Sequence, residues 1–288
     1  MAEVKLSIGG EDVGMNNSME YKNDKGASME FLGDQKDSSK EENIWICRRQ
    51  RMTHAFEFGR TAEGPDSAEI KKAAQTLVEV IKGAKVEEFI SAIEWLKWLV
   101  ERIDRSSILN FRGQSGCSLL HVAVASSKDD ILQLLLFDAD DQLMATQNDW
   151  GDTPFHTAAK TGNSKAVEML IRRARKPLND KRENQILTMK NKHGNTALHE
   201  AVLNRHVNVV SLLLKEDLEP VYLENEAKKS PLYLALDTGN SEILEILLSY
   251  SPEPSKIKGL PPVHGALVRP DYGKNLNLYV GNIYVCVN

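Results

Sequence analysis

Cysteine is scarce in this chain of 288 residues: Cys47, Cys117 and Cys286 stand far apart and in no metal-ligand spacing. That excludes a disulfide framework and a zinc module, and it points to a reducing compartment. Aromatic residues are few, 6% of the total, so a core has to be built from Leu, Ala, Ile and Val. Positive charge is not in excess: Lys and Arg number 36 against 41 Asp and Glu, a net charge of −5. No global field exists to attract nucleic-acid phosphates or an anionic membrane. No apolar run approaches the roughly 18 residues of a membrane span, and residues 1–10 lack the basic-then-apolar order of a signal peptide. The expected location is cytoplasmic, with the cytoplasmic face of the plasma membrane reached only through a partner. No glycine-rich phosphate loop occurs, and the acidic cluster Asp138, Asp140 and Asp141 lacks the remaining spacing of a calcium loop. No cofactor and no metal are therefore expected. What is present is 41% hydrophobic and 27% charged residues, ample for a sizeable core at this length.

Residues 1–66 are rich in Ser, Asn, Asp, Glu, Lys and Gly, with single apolar residues and no period, which predicts a disordered tail. Within it Ile44, Trp45, Ile46 and Cys47 precede Arg48, Arg49 and Arg51. That patch admits two readings, a short docking motif or a solvated run, and the solvated run is the simpler. Period begins with Ile70, Ala73, Ala74, Leu77, Val78 and Ile81, is interrupted at Gly83, and resumes with Val86, Phe89, Ile90, Ile93, Leu96 and Val100. Steps of three and four predict an antiparallel pair of amphipathic helices within residues 67–108, placed to cap the segment C-terminal to it.

Beyond it one hexapeptide shape returns. The copies are Gly116-Cys117-Ser118-Leu119-Leu120-His121, Gly151-Asp152-Thr153-Pro154-Phe155-His156, Gly194-Asn195-Thr196-Ala197-Leu198-His199 and Lys228-Lys229-Ser230-Pro231-Leu232-Tyr233. A weaker fifth is Gly259-Leu260-Pro261-Pro262-Val263-His264. Their sixth positions are separated by 35, 43, 34 and 31 residues, a period near 33 with one insertion. The residue types suit a turn entering a helix: Gly takes positive φ, Thr or Ser offers an N-cap oxygen, and Pro fits the first helical position. A short first helix follows, closed by Gly162 in one copy and Gly239 in another. A second helix then carries an apolar stripe: Ile131, Leu132, Leu134 and Leu135; Ala166, Val167, Leu170 and Ile171; Val209, Val210, Leu212 and Leu213; Ile243, Leu244, Ile246 and Leu247.

These copies resemble the repeats of ankyrin-repeat proteins over residues 109–270, about four repeats plus a truncated fifth. The family hexapeptide Gly-x-Thr-Pro-Leu-His is met nearly in full by residues 151–156. Residues 194–202 and 230–235, with the helical pair before the array, are similar to plant ankyrin proteins of the accelerated-cell-death type. The resemblance implies an all-α ankyrin-repeat solenoid of helix-turn-helix repeats with hairpin-like loops behind a disordered N-terminal tail. It gives scaffold roles to Gly151, Thr153, Pro154, His156, Gly194, Thr196, His199, Ser230, Pro231 and Tyr233, the histidine bonding the capping Thr and the neighbouring loop backbone. Successive histidines then stand about 10 Å apart, too far to share one metal ion. Relatives of this type continue into a multi-span membrane domain. Here residues 271–288 are β-prone instead, and a divergent or truncated C-terminus is expected.

Two further constellations bear on chemistry. Cys117 lies four residues before His121, but no third group orients a nucleophilic pair, and a thiol without special activation fits better. Arg172, Arg173, Arg175, Lys176, Lys181 and Arg182, with Pro177 among them, make a basic insertion that suits an acidic partner, a phosphorylated segment or lipid headgroups, and a flexible solvated loop is the simpler reading. The chain is therefore expected to be no enzyme. Its expected partners are other proteins, not nucleic acid or a small molecule, bound on the concave side of turn tips and first helices. The family's variable positions fall on Asp149, Trp150, Asp152, Lys160 and Thr161; on Lys192, His193, Asn195, Leu203 and Asn204; and on Glu226, Ala227, Lys229, Asp237 and Thr238. Trp150 leads, because a tip has no core for it to fill. The alternative is a soluble form that associates with membrane-anchored ankyrin relatives.

Overall fold

The computed structural model describes residues 33–56, 67–83, 85–99, 108–175, 185–250, 252–262 and 264, and their regular elements are all helical. Two compact units result, Met1–Ile44 and Trp45–Asn288. The first holds the beginning of helix α1 (Gly33–Phe56), exposed from Lys40 to Ile44. The rest of α1 belongs to the second unit.

Helix α1 corrects the disordered tail drawn to residue 66; residues 1–32 and 57–66 of that tail lie outside the described residues. Its apolar stripe is short, Trp45, Met52 and Ala55 interrupted by Arg48, which is why period reading passes over it. Tertiary contacts order its second half: Met52 is 1% exposed, Ala55 is buried, and Trp45 packs on the same core.

Helices α2 (Ser67–Gly83) and α3 (Val86–Leu99) fall where the apolar steps place them. Each hexapeptide then opens an inner helix followed by an outer one. The pairs are α4 (Leu119–Ala125) with α5 (Asp129–Asp138), and α7 (Pro154–Thr161) with α8 (Ser164–Ala174). Next come α10 (Ala197–Leu203) with α11 (Val207–Glu216), and α12 (Pro231–Thr238) with α13 (Ser241–Ser249). Inner helices stack in the order α2, α4, α7, α10, α12, and outer helices in the order α3, α5, α8, α11, α13, so the leading pair continues both layers. Elements of 7 to 11 residues do not hold a helix alone in water. Burial of each Leu or Ile between layers, about 2 kcal/mol apiece, does.

The outer stripes are buried as expected, with small shifts: Leu214 is buried in place of Leu212, and Ile246 is half-covered. Short wedges between each outer helix and the next turn were not foreseen. They are α6 (Asp141–Met144), α9 (Gln185–Thr188) and a 3-10 turn at Glu219–Tyr222, and they bury Leu143, Met144, Ile186, Leu187 and Val221. Four residues carry no readable period.

The basic insertion is partly outside the described residues, which stop at Arg175 and resume at Gln185. Of its visible arginines, Arg173 donates to the carbonyls of Leu136 and Ala139 at the C-terminal end of α5, and Arg175 pairs with Glu216. Both are spent within the fold. The fifth copy begins on the fourth: Lys258 N–H donates to Tyr222 O at 2.9 Å and Leu260 N–H to Lys228 O at 2.6 Å. Residues 265–288, including the β-prone tail, lie outside the described residues. Among those described, no helix is long and apolar enough to cross a membrane.

Candidate interaction face

Side-chain caps fix where each turn meets its helix. In the second repeat Thr153 Oγ1 accepts from His156 N–H at 3.4 Å, and His156 Nδ1 lies 3.2 Å from Thr153 N–H and 2.8 Å from Thr153 Oγ1. His156 Nε2 then donates to Asn195 O of the next repeat at 2.8 Å. His121 repeats this with Ser118 and Asp152 O, and His199 with Thr196 and Lys229 O. A carbonyl only accepts, so the proton sits on Nε2 and the rings are neutral. Burial pushes His121 and His199 down to about 4 and lowers His156 as well. Tyr233 takes the place in the fourth repeat, where Ser230 Oγ accepts from Tyr233 N–H and Lys229 Nζ lies 5.1 Å above the ring.

Successive turns are zipped edge to edge. Asp149 N–H donates to Ser115 O at 3.0 Å, Lys192 N–H to Trp150 O at 2.9 Å, and Glu226 N–H to His193 O at 3.0 Å. Three asparagines that sequence reading missed shape the tips. Asn148, Asn191 and Asn225 each accept on Oδ1 from the backbone N–H groups two and four residues on. Their amides reach back to the preceding repeat, Asn191 to Asp152 Oδ1 at 2.8 Å and Asn225 to Asn195 Oδ1 at 2.9 Å. The signal was present, an Asn three residues before Gly151, Gly194 and Lys228. A second ladder has no common residue type: Arg112 donates to Gln147 O, Gln147 to Lys190 O and Lys190 to Glu224 O. Gly194 has φ +71°, and a Cβ there would stand 2.5 Å from Glu226 N, so the zipper itself requires glycine.

Four of the expected contact residues form ion pairs eight positions apart, with the polarity reversed between repeats. Lys160 Nζ lies 2.5 Å from Asp152 Oδ2, and Lys229 Nζ lies 2.7 Å from Asp237 Oδ2. In the third repeat the same two places are Asn195 and Leu203, which carry no charge. Two expectations need correction here. Asp152 and Asn195 are 4% and 5% exposed, walled in by the next repeat, and they belong to a buried network rather than to an accessible face. In that network Glu200 Oε1 accepts from Asn191 and Asn195, and Lys160 lies 3.8 Å away. Sequence reading missed Glu200 because a Glu on a short helix ordinarily faces water.

The remaining expected residues do reach solvent: Asp149, Thr161, Lys192, His193, Asn204, Glu226 and Ala227 are exposed, and Thr238 is half-buried. Trp150 is 51% exposed on its tip and Leu203 38% exposed at the end of α10. Cys117 is half-buried, its thiol pushed up by burial, with the Asn148 amide 3.9 Å from Sγ. Both nitrogens of His121 are engaged elsewhere, so no thiol–imidazole pair exists. Among the described residues no three His, Cys, Asp or Glu side chains converge as a metal site.

A comparison with curated proteins found no match. The family model for ankyrin repeats in three copies matches residues 91–182, 120–222 and 176–258, together more than half of the chain. With the capped inner helices, the stacked layers and the zipped turns, this places the chain in the ankyrin-repeat family.

Proposed function

We propose that the chain is a non-catalytic scaffold that binds another protein on the turn tips and inner-helix ends of its central repeats. Membership of the ankyrin-repeat family supports a protein-interaction role. The observation that carries the site is that Trp150 and Leu203 stand exposed on a hydrogen-bonded, rigid face where neither has a core to fill. Around Leu203 the neighbouring helix ends present Lys160 on one side and Asp237 on the other, each held in its own ion pair. An apolar centre between pairs of opposite polarity fixes the direction in which a partner lies across the face.

The test is capture of a partner by proximity labelling with the full chain, followed by direct binding of Trp150→Ala and Leu203→Ser. Each should weaken binding at least tenfold with the melting temperature unchanged, while Glu168→Ala, exposed on α8, leaves it alone. Equal losses in all three, or none, would remove this face from the proposal. The narrower reading, a part in plant defence or cell-death signalling and association with membrane-anchored relatives at the cytoplasmic face, rests on the wording of residues 194–202 and 230–235. Co-precipitation of the full chain with such a relative tests it.

A further inference from the structure

The Trp45–Arg51 patch, which the sequence leaves between docking motif and solvated run, is docked on its own chain. Trp45, Arg48, Met52 and Ala55 recur at three and four residue steps and form one stripe of α1. On α3, Glu87, Ile90 and Glu94 share one face by the same geometry. Arg48 Nε meets Glu87 Oε1 at 2.7 Å and Arg51 Nη1 meets Glu87 Oε2 at 2.9 Å. Arg51 also forks onto Glu94, Nε to Oε1 at 2.8 Å and Nη2 to Oε2 at 2.7 Å. Arg48 lies 5.2 Å above the Trp45 ring, and Arg49 lies 5.1 Å above Phe137 on α5. The two arginines Arg48 and Arg51 thus span both glutamates of this α3 face.

The attachment differs in kind from the contacts between repeats. Its apolar part is small, Met52 and Ala55 with half-covered Trp45, and most of its ionic part is open to solvent: the side chains of Arg51, Glu87 and Glu94 are 41%, 52% and 39% exposed, and that of Arg48 19%. Exposed ion pairs hold weakly and are screened by salt. Most of a helix's stability in a protein comes from the packing of its apolar face, so residues 45–55 lose their main support once undocked. Each repeat, by contrast, contributes several side chains from both of its helices to the buried core, and the turn zipper adds backbone bonds.

We propose that residues 45–55 are an ion-latched strap, closed over the Glu87–Glu94 face of α3 and released from it while the repeat array stays folded. Release uncovers Met52, Ala55 and the core surface they pack on, which is separate from the turn tips. The strap is therefore a regulatory contact of the chain with itself, and it stands whether or not the tips bind a partner.

Hydrogen exchange followed by mass spectrometry on the full chain tests it, in 50 and 500 mM NaCl, for the wild type and for Arg48→Gln/Arg51→Gln. At low salt residues 45–55 should be protected. High salt, and the double substitution at low salt, should each speed their exchange at least tenfold while α7 and α10 keep their rates. Exchanging the charges, Arg48→Glu/Arg51→Glu with Glu87→Arg/Glu94→Arg, should restore protection. The strap is refuted if residues 45–55 exchange at the rate of α7 and α10 in every condition, if the repeats speed up together with them, if they are unprotected at low salt, or if the charge exchange fails to restore protection.

Discussion

A buried histidine that must stay neutral makes this scaffold sensitive to acid. Protonating His121 or His199 would set a second proton against a backbone N–H that already points at Nδ1, on a ring that is buried. Their folded-state values of about 4 lie below the ordinary 6.5, so the unfolded chain takes the proton first as pH falls. The stability they contribute is full above about pH 6.5 and is lost on the way down to about 4, on the order of 3 kcal/mol for each ring. Urea midpoints should fall steeply between pH 6.5 and 4.5. The C2–H resonances of the two rings should stay still from pH 7.5 to 5; movement centred near 6.5 would show that the rings are not held as the geometry requires. The partners of these histidines were implied by the resemblance of the hexapeptides to ankyrin repeats; the cap is local, and the carbonyl comes from the next repeat. The burial of Asp152, Asn195 and Glu200 was not legible, because the wall that covers them comes from another repeat.

At the scale of the element, a turn is stabilised by what its neighbour accepts. Asn191 closes its own tip and also donates to Asp152 and Glu200, so Asn191→Ala strands two backbone donors and leaves two buried carboxylates short of a partner. A loss of about 3 kcal/mol is expected. Asn148 makes the same turn but reaches only the Cys117 sulfur, and Asn148→Ala should cost about 1 kcal/mol. Urea melts of the two variants rank them, and equal losses would mean that the cross-repeat bonds carry no weight. Glycines separate in the same way. Gly194→Ala meets the zipper and should destabilise the chain, whereas Gly83→Ala meets nothing within 4 Å and should be neutral or better. The helices themselves were readable from three and four residue steps, α1 excepted, and the four-residue wedges were beyond that reading for want of length.

Over the whole array, stability comes from contacts between neighbours, so it is lowest where a neighbour is missing. The described part of the fifth copy meets the fourth through two backbone bonds, contacts of Glu253 and Lys256 with Tyr222 and the packing of Ile257, and its cap position is Pro261, which offers no hydroxyl. Amides of residues 252–262 should exchange at least tenfold faster than those of α7 and α10, which have a repeat on each side; uniform protection would contradict a nearest-neighbour array. The sequence by itself determined the register of the repeats, the inner and outer helices, the caps and the stripes that face the core. Each of these is written in residues close enough to act on one another within a turn or a helix. Only the tertiary structure decided that α1 docks on α3, that Arg173 ties two outer helices, and that Asp152 and Asn195 are scaffold while Trp150 and Leu203 remain outside. Those outcomes depend on groups such as Asn191 and Asp152, 39 residues apart, meeting across a stack, and no local period records which partner a side chain will find there.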